Sequence, residues 1–241
     1  MKHALSVIAA GLGLCVCAYA QAQAPITLYY NERPPYLMSQ SDGSVLGLTA
    51  TPAVNAFKKA NIPFVWKKMP ASRQLRTIQG NGAAECTVGW FKTAKREKFA
   101  KYTKAIYQDK PTVAIVRDEI AIPSGTGLES LLAERKLRLL VKANYSYGPY
   151  IDGLLTRLHA PVSATVAENA TMVHMLKMGR ADMMFMAEEE ALELLPTLAH
   201  GGLKLLRFSD VPSGEKRYIL CSKKVPDEII SRLNQQIVFD K

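Results

Sequence analysis

Short apolar runs and stretches of helical periodicity alternate along this chain from residue 26 almost to its end, in two successive series. In the first, residues 26–30 read as a strand bounded by Pro25 and Asn31, and residues 51–60 as a helix with Pro52 in its first turn. Residues 64–68 read as a second strand, 72–80 as a helix with Leu75 and Ile78 inward, and 85–90 as a third strand. An extended run at 112–116 opens the second series: helix 128–133, strand 138–141, helix 150–158, strand 163–166, helix 170–178, strand 182–186 and helix 188–195. Residues 203–208, a last strand at 218–222 and a helix over 226–238 complete the pattern. Such alternation dictates an α/β fold built on mostly parallel sheets. Two similar series imply two lobes with a cleft between them.

The first residues do not belong to this pattern. Lys2 precedes an apolar run from Ala4 to Ala18, and small residues recur at Ala18, Ala20 and Ala22, as in a secretory signal peptide cut after Ala20 or Ala22. The run is shorter than the ~20 residues of a membrane span, and no second run of that length follows. Cys15 and Cys17 lack the Leu-x-small context of a lipoprotein signal, so no lipid anchor is expected. Residues 1–22 are read as a leader, and the remainder suffices for one large domain or two small lobes.

Only Cys86 and Cys221 survive that cleavage. An exported pair reads as a disulfide, worth roughly 4–5 kcal/mol in the chain-entropy model, with two separate buried thiols as the alternative. The formal charge of +10 falls only to +9 without Lys2. The basic residues are dispersed and accompany no nucleic-acid module, so they read as a solvated basic surface without a nucleic-acid partner.

Gly89-Trp90-Phe91-Lys92-Thr93-Ala94-Lys95-Arg96 is the most informative local run. An apolar strand stops, Thr93 can cap a helix, and Arg96 follows in its first turn. Free backbone N–H groups and a guanidinium then point the same way, which suits a small carboxylate. The competing reading is a surface arginine paired with Glu97 or another acid.

This run, continued through Phe99, Tyr102-Thr103 and Tyr107, resembles the ligand-binding motif of family 3 bacterial solute-binding proteins, the periplasmic amino-acid-binding type that serves ABC transporters. Pro34-Pro35-Tyr36 with Asp42-Gly43 and Gly47-Leu48, and Gly179-Arg180-Ala181-Asp182 before an apolar run, extend the resemblance over nearly the whole mature chain. It implies a type II periplasmic-binding-protein fold with a hinge and an interlobe cleft. Lobe 1 would comprise residues 23–110 and 206–241, and lobe 2 residues 111–205, with crossings near 110–116 and 204–208. The implied function is capture of a small carboxylate-bearing ligand, an amino acid or a related compound, by a periplasmic monomer. It would deliver the ligand to an inner-membrane ABC permease, or to a membrane sensor, without cofactor or metal. Family members continue beyond the point where this sequence stops, so its C-terminus reads as short.

The same resemblance assigns Arg96 and Thr93 to the ligand carboxylate. Asn144-Tyr145-Ser146-Tyr147-Gly148 stands where the family carries an anion-binding turn, with Ser146 as a donor. Tyr145 and Tyr147 read equally as cleft walls and as packing under a loop. The family's two acids for a ligand ammonium fall at Tyr30-Asn31 and at Ala187, so Glu32 and Glu188, one position on, are the available substitutes. A buried ammonium without such a partner is costly. Tyr36, Trp90 and Phe91 are cleft aromatics or core residues, with Trp90 placed best, just ahead of the Thr93 turn.

Met172, Met175, Met178, Met183, Met184 and Met186 read as core filling rather than a soft-metal site, and His159, His174 and His200 show no ligand spacing. Glu188-Glu189-Glu190 with Glu193 reads as a solvated face and acidic first turn. No hydrolase or phosphate-loop motif occurs. The rival class is a periplasmic dehydratase, which some relatives of the family are, with Glu32 or Glu188 as its general acid.

Overall fold

The computed structural model describes residues 24–199 and 201–239. The leader assigned to residues 1–22 lies outside them, as does His200. The first series forms β1 (Ile26–Tyr30), a small hairpin of β2 (Met38–Ser39) and β3 (Val45–Leu46), α1 (Ala50–Lys59), β4 (Phe64–Lys68), α2 (Ala71–Gly80), β5 (Glu85–Phe91), the single turn α3 (Ala94–Glu97) and β6 (Ala100–Gln108). The second forms β7 (Thr112–Arg117), α4 (Leu128–Ala133), β8 (Leu139–Lys142), α5 (Pro149–Arg157), β9 (Val162–Thr165), α6 (Asn169–Lys177), β10 (Met183–Ala187), α7 (Glu188–Ala199) and β11 (Leu203–Leu206). β12 (Lys216–Ser222) and α8 (Asp227–Gln236) close the chain's described part.

Two five-stranded sheets result, in the orders β4-β1-β5-β12-β6 and β11-β7-β10-β8-β9. β1 runs parallel to β4 and β5, and β8 runs parallel to β9 and β10, as strand–helix–strand crossovers require. β12 is antiparallel to both β5 and β6, so the returning chain inserts into the middle of the first sheet. Each sheet is covered on both faces. In β7, Val113 and Ile115 face one core with α6 residues Met172 and Leu176, while Ala114 and Val116 face another with Leu132 and Leu154. That alternation is the period of a strand buried on both sides. Met172, Met183, Met184 and Met186 are all core residues, whereas Met178 is exposed.

β11 departs from expectation. Where a crossing between lobes is expected at 204–208, β11 instead pairs with β7 as an edge strand, and Leu206, Phe208 and Val211 pack on the second lobe's core. The chain therefore leaves that lobe only after Val211. There the two connections lie side by side: Asp109 N donates to Glu215 O at 3.0 Å and Gln108 Nε2 to Gly214 O at 3.1 Å. A Cβ at Gly214 would collide with the carbonyl oxygens of Asp109 and Lys110, so glycine permits that approach.

Cys86 and Cys221 form a disulfide between directly opposed positions of β5 and β12, across a sequence separation of 135. Asp182, just before β10, ties together the ends of the second sheet's three central strands, accepting from Arg138 N at 2.8 Å, from Arg138 Nη2 at 2.8 Å and from Arg117 Nη2 at 2.7 Å. Hydrogen bonds from Arg138 outweigh desolvation and lower the Asp182 pKa to about 2. A carboxyl depressed in the folded state contributes stability above its unfolded pKa of about 4 and loses it as pH falls through the folded value. Asp182→Asn should therefore cost about 1–3 kcal/mol at neutral pH. The urea midpoints of variant and parent should converge between pH 4 and 2; a constant difference across that range would contradict the assignment. Among the described residues no helix is long and apolar enough to cross a membrane.

Candidate functional site

The cavities between the lobes gather four cations from four distant parts of the chain: Arg33 after β1, Arg96 on α3, Lys142 at the end of β8 and Arg217 in β12. The deep part is narrow, about 20 Å3, and shares Arg96, Tyr145 and Ser146 with a groove of about 470 Å3 between α2, α3 and the 144–146 turn. The groove falls within the size range of small-molecule sites.

Three of these cations are matched by carboxylates. Arg217 makes a two-pronged pair with Asp109, Nε to Oδ1 and Nη2 to Oδ2 both at 2.6 Å, and donates to Gly89 O at 2.8 Å. Arg33 reaches across the cleft to Glu190, at 2.8 Å from Nε and 2.5 Å from Nη2. Lys142 Nζ lies 2.7 Å from Glu168 Oε2. Burial opposes the charges of Arg217 and Arg33, but Asp109 and Glu190 outweigh it and push both pKa values above the ordinary arginine range.

Arg96 differs. Thr93 caps α3, its Oγ1 accepting from Arg96 N at 3.3 Å, and so fixes the residue in the first turn. Arg96 is only 6% exposed as a residue, and its guanidinium stacks over Trp90, 4.8 Å from the ring centroid. It donates to two backbone carbonyls, Phe91 O at 2.9 Å and, from the other lobe, Asn144 O at 3.4 Å. Among the described residues no carboxylate forms an ion pair with it. Desolvation accordingly lowers its pKa, and the attractions of Tyr102, Tyr145 and Asp152 do not restore it. The pairing with Glu97 is absent, since Glu97 bonds Lys92 at 2.8 Å on the exposed surface.

Trp90 and Tyr145 stand beside Arg96 with centroids 6.5 Å apart, and Tyr147 packs behind Tyr145 against Phe185. The expected anion-binding turn has a different role. Ser146 Oγ donates to Asp152 Oδ2 at 2.6 Å and Tyr147 N to Asp152 Oδ1 at 2.9 Å, so a carboxylate of α5 already occupies those donors. Tyr147 OH is held by Lys142 N at 2.8 Å.

Four expected residues do not line the cavity. Tyr30 packs edge-on against Trp66 in the first core. Tyr36 is fully buried beneath the cleft, its ring between Arg33 and Arg217 and its hydroxyl 3.0 Å from Asp109 and 3.1 Å from Glu189. Glu32 turns outward to Ser39 and Lys68; burial lifts its pKa, but those hydrogen bonds outweigh it and hold the carboxyl below its ordinary value. Glu188 pairs with Arg207 at 2.6 Å on the rim.

The acidic triplet is not a solvated helix face either. At the start of α7 successive residues point about 100° apart. Glu188 faces Arg207, Glu189 bonds Tyr107 and the Lys110 backbone at the hinge, and Glu190 enters the cleft. Arg33, Lys142 and Arg217 were missed by sequence reasoning, because each gains its place only through pairing with distant elements. Among the described residues no cluster of His, Cys, Asp or Glu could hold a metal ion.

No protein-family model matches the chain, and no curated protein matches it. Solved structures do. An ancestral arginine-binding protein bound to arginine is 18% identical with a TM-score of 0.70, covering 89% of this chain and 91% of its own. The arginine-, lysine-, histidine-binding protein ArtJ from Geobacillus stearothermophilus is 11% identical with a TM-score of 0.70, over 89% and 88%. A putative L-cystine ABC transporter from Listeria monocytogenes is 18% identical with a TM-score of 0.70, over 88% of each chain. The likeness carries the fold: the two-lobe α/β architecture of this chain is that of these structures.

Proposed function

We propose that this protein is a periplasmic solute-binding protein that captures a small carboxylate-bearing ligand between its lobes and presents it to an inner-membrane ABC permease. The observation that carries this reading is Arg96, a buried guanidinium beside the cleft that bonds backbone carbonyls and stacks on an indole but, among the described residues, forms no ion pair with a carboxylate. A ligand carboxylate would supply the missing anion. The similar structures point the same way, being amino-acid-binding or ABC-transporter proteins by their own descriptions. Lobe 1 would take residues 23–110 and the C-terminal segment, lobe 2 the stretch between, with the second crossing moved past Val211. Closure would pivot on the paired connections at Asp109 and Gly214, so that ligand affinity for the closed form shifts its population.

A dehydratase reading loses the two acids named for it, since Glu32 and Glu188 are engaged outside the cavity. The test is a thermal-shift screen of the purified protein against amino acids, oxo and hydroxy acids, aromatic carboxylates and polyamines, with mass spectrometry before and after. A ligand at a hundred times its Kd should stabilise the protein by about 2.7 kcal/mol and be recovered unchanged. Conversion of the ligand, or saturable shifts only with polyamines, would refute the reading.

A further inference from the structure

Resting on the receptor reading above, we infer that the ligand carries a second acidic group, held at the mouth of the groove by Arg76 and Lys95 while Arg96 takes the first at its inner end. The charge of the groove's lining carries this. Ser72, Leu75, Arg76 and Gln79 face it from α2, at the i, i+3, i+4, i+7 spacing of a single helix face. From α3 comes Lys95, next to Arg96. Arg96 is buried and borders the deep cavity as well, whereas Arg76 and Lys95 are exposed and border the groove. The cations thus run from the inner end of the site to its mouth.

Against these three cations the lining sets one carboxylate, Asp152. It accepts from Ser146 Oγ at 2.6 Å and from Tyr147 N at 2.9 Å and has no cation partner, so it can receive an amine where the ligand has one. Among the described residues neither Arg76 nor Lys95 forms an ion pair, and the acid of α3, Glu97, bonds Lys92 instead. A ligand with a single carboxylate, with or without an amine, leaves both of them unused.

Solvated cations at a mouth cost little when left alone, so the argument rests on what they add. A second acidic group would gain charge-assisted hydrogen bonds from two neighbouring elements at once. A groove lined mainly by one sign of charge also focuses its field and draws in ligands of the opposite sign. Leu75 and Phe99 give the carbon chain between the two acidic groups an apolar wall to lie against.

Isothermal titration of the purified protein with acids and their matching amides tests this, each pair differing by one charge: glutamate against glutamine, 2-oxoglutarate against 2-oxoglutaramate, and adipate against adipamate. At least one acid should bind roughly fivefold or more tighter than its amide, a preference that shrinks as salt is raised. Arg76→Ala combined with Lys95→Ala should erase the preference by weakening the acid alone. Arg73→Ala removes an exposed cation of α2 that does not border the groove, and should leave the preference intact. Persistence of the preference in the double variant, or its equal loss in Arg73→Ala, would overturn the inference. So would acids and amides that bind equally well through Arg96, an outcome that leaves the receptor reading standing. Failure of every acid and amide to bind in an Arg96-dependent way would overturn both.

Discussion

Replacing Arg96 by alanine is expected to weaken binding of the carboxylate ligand by roughly 10- to 100-fold, because charge-assisted hydrogen bonds of about 1.5–3 kcal/mol are lost and each 1.4 kcal/mol is tenfold. The ligand-free protein should tolerate the change. Arg96 is desolvated with no carboxylate to offset the cost, so its removal relieves a penalty while giving up bonds to Phe91 O and Asn144 O. Little movement of the ligand-free melting temperature with a large loss of affinity is the signature sought. Arg96→Lys keeps the charge but loses the planar fork and the stack on Trp90, so it should fall between alanine and the parent. Unchanged affinity in Arg96→Ala, measured by titration, would remove the residue from the site.

The second large effect concerns stability. Asp109→Asn should cost about 3–5 kcal/mol, since Arg217 would remain charged and almost fully buried with its partner gone. Tyr36, whose hydroxyl and ring contact this pair, would lose an acceptor as well. The double replacement Asp109→Leu with Arg217→Met should be less damaging than the two single changes added together, because no charge is left unpaired. Urea denaturation of the four proteins checks this, and strict additivity would show that the pair is not coupled.

Most strands and helices were legible because both faces of each sheet are covered and the helices are amphipathic, so residues such as Val113 to Val116 announce themselves without distant information. β6 escaped notice because its nine residues mix lysines with aromatics and follow α3 after only two residues. The hairpin of β2 and β3 is too short for any period to register. Leu203 to Leu206 reads as a connection because three leucines interrupted by Lys204 do not say which sheet they join.

The site divides in the same way. Thr93, Trp90 and Arg96 were readable as a group because the cap, the stack and the guanidinium lie within one strand-to-helix turn. Arg33 and Glu190 are separated by 157 positions and Arg217 and Asp109 by 108, and no local pattern marks either pair. Glu32 and Glu188 show how finely position matters: where a strand ends or a helix begins, one residue's shift turns a side chain from the cleft to the surface.

The insertion of β12 between β5 and β6 has a bearing on how the chain assembles. The second sheet is drawn entirely from the continuous stretch between Thr112 and Leu206, and can form from neighbours in sequence. The first sheet stays split, with a central strand missing, until residues 216–222 arrive. For a chain that emerges amino-terminus first, the half synthesised earlier is thus the half completed last, and its edges at β5 and β6 stay open to mispairing from their own synthesis until β12 emerges near the end.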